Sequence, residues 1–318
     1  MRSESVPAPA LLVLALITVS TVIVNPAFVS PSNLAAIAQQ AAVPVVLAVG
    51  MTFVILMGGI DLSVEGVMAG TALSISLLVA NDRNGMSLGL WVIPVACAIG
   101  AALGLVAGAS VALLRVPSFI VTIGTWQIGV GLAQLLFGGR PPRIQDEQFR
   151  GLVMGRAVLG IPGMVWIAVA VLLFGVFLQH NTRFGRYAYV IGGSEEIARL
   201  SGIRVRRYRA ASFVVAGALT GLAGVLATGR VGVGDVTIGN GLLFTTIAGV
   251  VIGGTFLTGG RGGVLHSAVG VVVIVSISNA MVLAGVSSFI QQAVQGAVVI
   301  VAAVATLWRS RARLRVIK

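Results

Sequence analysis

The chain has 318 residues, 57% of them hydrophobic and only 9% charged, with a mean hydropathy of +1.04. A soluble domain carries about 25% charged residues, so this chain cannot cover itself with polar surface and reads as an integral membrane protein. The formal net charge of +12 would suit nucleic acid, but the arginines stand at the ends of apolar blocks rather than on a folded face, which is the pattern that sets membrane orientation.

Apolar blocks near the roughly 20 residues of a membrane span recur along the chain, without the short alternating segments of a barrel. The expected fold is therefore all-α: a polytopic transmembrane helical bundle of about ten spans, one domain over residues 1–318. Eight or nine spans with a re-entrant segment is the alternative count. Met1–Ala8 is a short polar start with Arg2 and Glu4, and Pro9–Val24 reads as an uncleaved first span. The second span, about Leu34–Met57, contains Pro44 and ends at Gly58-Gly59-Ile60-Asp61. A third follows over about Ser63–Ala80. The fourth, about Leu90–Leu114, lines up Gly100, Gly104 and Gly108 at i, i+4, which allows close approach of another helix. After the Arg115–Pro117 turn the fifth span runs to about Phe137, and Gly138–Gly160 is a mixed-charge loop with four arginines. The sixth span is about Ile161–Leu178.

Asn181–Arg209 is the longest polar run, with seven arginines against Glu195 and Glu196. It carries a compact helix signature. Gly192-Gly193 breaks the chain, Ser194 is placed to cap, the two glutamates fill the first turn, Arg199 falls near the end and Gly202 supplies the stop. Ile197, Leu200 and Ile203 share a face that needs a partner. Two readings stay open at this point: an ordinary basic loop, or a docking helix for a soluble partner. The seventh span, about Ala210–Ala227, is again glycine-rich. A connector over Thr228–Gly241 holds Asp235 and Asn240. The eighth span, about Leu242–Leu257, is short and ends in Gly259-Gly260-Arg261-Gly262-Gly263. The ninth and tenth are about Val264–Leu283 and Ser288–Leu307, and the tail 309–318 holds five positive charges. Ten spans put both termini, loop 181–209 and the tail on one side. Loop and tail together hold twelve of the 21 positive residues, so that side is expected to be cytoplasmic.

Catalytic apparatus is missing from the pattern. The two histidines, His180 and His266, lack metal-ligand spacing, and no metal site is expected. The sole lysine is Lys318, so the chain has no phosphate-loop motif and does not hydrolyse ATP itself. Cys97 stands alone in an apolar span, where it packs. Asp61, Ser63, Glu65, Gln127, Gln134 and Asn279 are the polar groups that could line a translocation pathway, because charge at a span centre costs roughly 2.5–3.5 kcal/mol without a watery or polar setting. Against that, Asp61 reads as a cap of the third span through its N-terminal amides. Gln127 and Gln134, at i, i+7, read as interhelical glue.

The stretch from Gly50 to Leu56 leading into GGIDLSVEGVMA resembles the early signature of permeases from the ribose/xylose class of bacterial ABC sugar importers. So do TRFGRYAYVIGGSEEIARLSGI, VVIGGTFLTGGRGG and AGVSSFIQQAVQGAVVI, in order and at compatible spacing from about residue 35 to the C-terminus. Family patterns often have glycine where Glu65 stands. The resemblance implies a non-enzymatic permease subunit in the bacterial inner membrane, binding no cofactor. It implies a second permease copy, identical or paralogous, a cytoplasmic ABC ATPase that uses ATP and magnesium, and an extracytoplasmic sugar-binding protein. It also implies that Ser194–Gly202, including Glu195, Glu196, Ile197, Arg199 and Leu200, is the coupling helix driven by that ATPase during alternating access. The rival class is a self-sufficient secondary transporter of a small polar solute, and a membrane-embedded enzyme is a third.

Overall fold

The computed structural model describes residues 7–314. Arg2 and Glu4, and the Arg315 and Lys318 of the tail, lie outside the described residues. The helices in chain order are α1 (Ala8–Val24), α2 (Pro31–Leu56), α3 (Val64–Ser76), α4 (Val92–Leu114), α5 (Ser118–Phe137), α6 (Glu147–Met154), α7 (Gly163–Asn181), α8 (Arg183–Gly193), α9 (Glu195–Leu200), α10 (Val205–Val231), α11 (Leu242–Ile252), α12 (Val264–Leu283) and α13 (Ser288–Leu314). A two-stranded antiparallel hairpin, β1 (Arg156–Val158) and β2 (Ile161–Pro162), joins α6 to α7. Six helices among the described residues are long and apolar enough to cross a membrane: α2, α4 with its preceding turn, α5, α7, α10 and α12.

The centre of the bundle is α2. Ser30 caps it through the Asn33 amide (3.3 Å), with Pro31 at the first helical position. Residues 41–57 are buried without interruption, so this helix is apolar on every side because it has protein on every side. It continues as a helix through Pro44.

The glycine stripe of α4 meets the glycines of α10. A Cβ on Gly100 would stand 2.1 Å from the Gly217 carbonyl oxygen, and one on Gly217 would stand 2.2 Å from that of Gly100. Gly104 abuts the Phe213 carbonyl and Gly221 the Ala96 carbonyl in the same way. Backbone lies against backbone along this seam, which packing between helices in lipid requires. Gly217→Val is expected to force the helices apart and to cost more than the about 1–3 kcal/mol of ordinary overpacking. Size-exclusion profile and melting temperature of the purified protein measure this, and an unchanged melting temperature would count against the seam.

Two expected spans are corrected. The third, expected over 63–80, is α3 with 13 residues, and the eighth, expected over 242–257, is α11 with 11 residues. At 1.5 Å per residue these reach about 20 and 17 Å, short of the ~30 Å hydrocarbon core. Both begin where expected and end early, α3 at Ser76 and α11 at Ile252 before Gly253-Gly254. Gly58 (φ +75°) ends the chain's run from α2, Gly241 (φ +80°) precedes α11, and Gly254 (φ +96°) follows it. The loops are also more ordered than expected. Asp146 caps α6 by accepting from the Phe149 amide (2.9 Å), within what reads in sequence as an irregular loop. Stretch 181–209 contains α8, α9 and the first turn of α10.

Candidate functional site

The arginine-rich stretch is fastened to the bundle by its apolar side. Thr182 caps α8 by accepting from the Gly185 amide (3.3 Å), and α8 then buries Ala188 and Ile191 against Leu56 of α2, Met57 just past it, Ala198 of α9 and Val205 of α10. Tyr187 and Tyr208 meet edge to face with centroids 4.9 Å apart. The Tyr189 hydroxyl donates to the Gly262 carbonyl (2.6 Å), and burial pushes its pKa up to about 12, so it stays a donor at neutral pH. The Gly260 amide donates to the Leu56 carbonyl (2.9 Å). Gly192 lies in this joint, where a Cβ would stand 1.8 Å from the Leu56 oxygen and 2.4 Å from the Gly260 nitrogen. Thus the end of α2, helix α8 and the 258–263 turn are one packed unit.

Helix α9 follows the sequence signature closely. The Ser194 hydroxyl accepts from the Ile197 amide (3.3 Å), Glu195 and Glu196 occupy the first turn, and Gly202 (φ +76°) lies just past the end. Three directions divide its six residues. Ala198 is fully buried, Glu195 and Arg199 turn toward the start of α10, and Ile197 (61% exposed) and Leu200 (83% exposed) project outward. Ile203 does not join that outward pair, contrary to its spacing, because the helix has ended and it packs into the α8–α10 cluster. Glu195 pairs with both Arg199 and Arg209, the latter at 2.8 Å. The Arg209 hydrogen bond holds its carboxyl below the usual glutamate range, with partial burial working the other way. The pairing is therefore complete above the ordinary glutamate pKa and is lost only as pH falls through that lowered value.

A second feature lies deeper in the bundle, where α3 and α11 begin. The segment 57–63 leaves α2 as non-helical chain, and α5 takes two of its amides: Ser118 Oγ accepts from Ile60 (2.9 Å) and Thr122 Oγ1 from Leu62 (3.0 Å). Irregular backbone between span-length helices needs such partners. Asp61 is 4% exposed and accepts from both the amide (2.9 Å) and the hydroxyl (2.6 Å) of Ser63. It thereby fixes the turn before α3 rather than capping the helix amides themselves. Glu65 reaches across to α11, where its Oε1 accepts from the amides of Gly241 (3.0 Å) and Leu243 (3.3 Å). The two short helices so meet with their N-termini together, and the Glu65 carboxylate stands at the positive end of both dipoles.

The remaining polar groups separate. Gln127 and Gln134 are exposed on α5, on the face where a Cβ on Gly124 or Gly131 would meet nothing. Asn279 is 4% exposed and forms a reciprocal amide pair with Asn33 (2.9 and 3.0 Å), holding α12 to the start of α2. Residues that sequence reasoning passed over include Ser118, Thr122, Tyr189 and Gln179, whose Oε1 accepts from the Val264 amide (2.6 Å). Hydroxyls in spans are ordinarily bonded to their own helix, so nothing in the pattern distinguishes Ser118 or Thr122. Among the described residues no three His, Cys, Asp or Glu side chains are grouped so as to hold a metal ion.

The model of the permease component of branched-chain amino acid transport systems matches residues 33–303. The chain is 38% identical over 297 residues to the ribose import permease protein RbsC of Escherichia coli (strain K12), covering 92% of this chain and 90% of that one. It is 37% identical to RbsC of Bacillus subtilis (strain 168), with 88% and 86% covered. It is 30% identical to the L-arabinose transport system permease protein AraH of Escherichia coli (strain K12), with 95% and 91% covered. No solved structure matches the chain. With the match extending over most of its length, the chain belongs to this family of membrane transport permease components.

Proposed function

We propose that this chain is the membrane permease subunit of an ATP-driven ABC importer for a sugar or related polyol, situated in the bacterial inner membrane. The relatives named for ribose and arabinose support the solute class, and the outward pair Ile197 and Leu200 on a helix bolted to the bundle carries the mechanism. Ile197 and Leu200 together offer an apolar spot on which a soluble partner can dock. The partner is the ATPase, and its closing motion is transmitted through α8 and the 258–263 turn to the end of α2. ATP and magnesium are bound by that partner.

In this reading the chain makes ten crossings with both termini in the cytoplasm. Eight are α1, α2, α4, α5, α7, α10, α12 and α13. The other two combine an irregular segment with a short helix: 57–63 with α3, and 232–241 with α11. A second permease copy covers the free α5 face, where Gly124 and Gly131 allow approach and Gln127 and Gln134 offer hydrogen bonds. The sugar passes beside the α3–α11 junction, with Asp61, Ser63 and Glu65 near the path, after delivery by an extracytoplasmic binding protein.

Glu65→Ala removes a charged acceptor from two amides, a change worth about 1.5–3 kcal/mol per bond to a charged group. Uptake is expected to fall at least about 10-fold. Glu65→Gln, which keeps an acceptor oxygen, retains more. Counter-evidence would be equal uptake by Glu65→Ala and wild type.

The class is tested by reconstituting the permease with its ATPase and binding protein in liposomes and following labelled ribose, arabinose and leucine. ATP-dependent uptake of a sugar is the expected result. Solute movement by the permease alone under an ion gradient would establish a secondary transporter instead, and uptake of leucine alone would shift the solute class.

A further inference from the structure

Beside the ion pairs of α9 lies a cavity of about 330 Å³, at the small end of the ~300–1,000 Å³ range of ligand pockets. The ends of α4 and α2 and the starts of α5, α9 and α10 enclose it. Arg115, Arg199, Arg206 and Arg209 line it together with a single carboxylate, Glu195. Glu195 already serves Arg199 and Arg209, so Arg115 and Arg206 meet no opposing charge there.

One further observation points to a missing anion. The Nε of Arg209 is buried without a hydrogen-bond acceptor among the described residues, and a buried donor left unpaired is costly. Arg115 is the left-handed C-cap of α4 (φ +58°), which sets its side chain at the rim of this cavity.

We propose that this cavity binds the phosphate head group of an anionic phospholipid. Free phosphate would satisfy the same guanidiniums, but the surroundings favour lipid. The Arg115–Pro117 turn joins two span-length helices. Exposed Leu113 (65%), Leu114 (72%), Phe119 (48%) and Ile120 (51%) flank it and offer a surface for acyl chains. Basic pockets between helices at the cytoplasmic interface suit such head groups. The site lies on the opposite side of α9 from Ile197 and Leu200, so a lipid phosphate there would brace Arg199 and Arg209 without blocking the outward pair. Lipid composition would then set how firmly α9 is held. The inference rests on this end of the bundle lying at the inner membrane interface, as the proposed function requires.

The test uses the full chain purified in detergent, offered mixed micelles of phosphatidylglycerol or phosphatidylcholine and read by native mass spectrometry for retained lipid. Wild type is expected to retain phosphatidylglycerol in preference to phosphatidylcholine. Arg115→Gln with Arg206→Gln is expected to weaken retention about 30-fold, from roughly 1 kcal/mol per basic residue near an anionic surface. Inorganic phosphate at millimolar concentration is expected not to displace the lipid. Equal retention of the two lipids by wild type, or displacement by inorganic phosphate, would overturn the proposal without any variant. Unchanged phosphatidylglycerol retention by the double variant, with wild-type melting in phosphatidylcholine, would overturn it as well. ATP-driven sugar uptake by the reconstituted importer, persisting in any of these cases, would show that the lipid site alone had failed.

Discussion

Leu200→Asp is expected to abolish ATP-driven uptake while the protein still folds and inserts. Leu200 is 83% exposed and touches none of the cores that hold α8, α9 and α10 together, so the change removes nothing from the fold. In the proposed docking it removes the apolar end of the face offered to the ATPase and places a charge within that contact. A central interface residue of this kind is worth about 2 kcal/mol or more, which weakens docking roughly 30-fold. Two measurements carry the prediction: sugar-stimulated ATP hydrolysis by the reconstituted complex, and co-purification of the ATPase with the permease. Both should fall together, with the melting temperature unchanged. Glu196→Arg, on the same outward side of the helix, is expected to act in the same direction, whereas Glu195→Arg should also loosen α9 from Arg209. Full uptake by Leu200→Asp would mean that α9 receives no force.

Gly192→Val should be worse, and for a different reason. Its Cβ position is occupied by backbone from two separate elements, the Leu56 oxygen at 1.8 Å and the Gly260 nitrogen at 2.4 Å. Neither atom belongs to a flexible side chain that could swing away, and the Gly260–Leu56 hydrogen bond would have to break to make room. The cost should exceed the about 1–3 kcal/mol of ordinary overpacking. Helix α8 would detach from the end of α2, leaving α9 held mainly to the start of α10 through Glu195 and Arg209. If the variant still inserts, ATP hydrolysis should continue without uptake. Gly193→Val is the control, since a Cβ there meets nothing within 4 Å. Equal uptake by the two variants would refute the proposed joint.

Much of the stretch around α9 is readable from residues alone. The Ser194 cap, the two acidic first-turn residues and the Gly202 stop are local signals, and a six-residue helix is decided locally. The α4–α10 seam is readable too, because a glycine every fourth residue has meaning in lipid regardless of the partner. The short length of α3 and α11 was harder to see. Apolar residues continue beyond both, and hydropathy reports depth in the membrane without reporting where hydrogen bonding switches from helix to a neighbour's hydroxyl. Ser118 and Thr122 settle that switch for 57–63, yet they lie 58 and 60 residues away from the amides they serve. Glu65 shows the same limitation, since its acceptor role toward Gly241 and Leu243 joins positions 176 and 178 residues apart. Asn279 reads in sequence as a pathway candidate, and its pairing with Asn33, 246 residues away, is not visible there.

A single cysteine at position 200 tests the central assignment most directly. Cys97 is the only native cysteine, so Leu200→Cys in a Cys97→Ser background gives one addressable thiol. In sealed right-side-out vesicles it should resist a membrane-impermeant maleimide. In inside-out vesicles it should react, be shielded when the ATPase is added, and cross-link to that ATPase. Labelling from the outside, or reactivity toward lipid-soluble reagents only, would contradict an α9 that takes its force from a cytoplasmic engine.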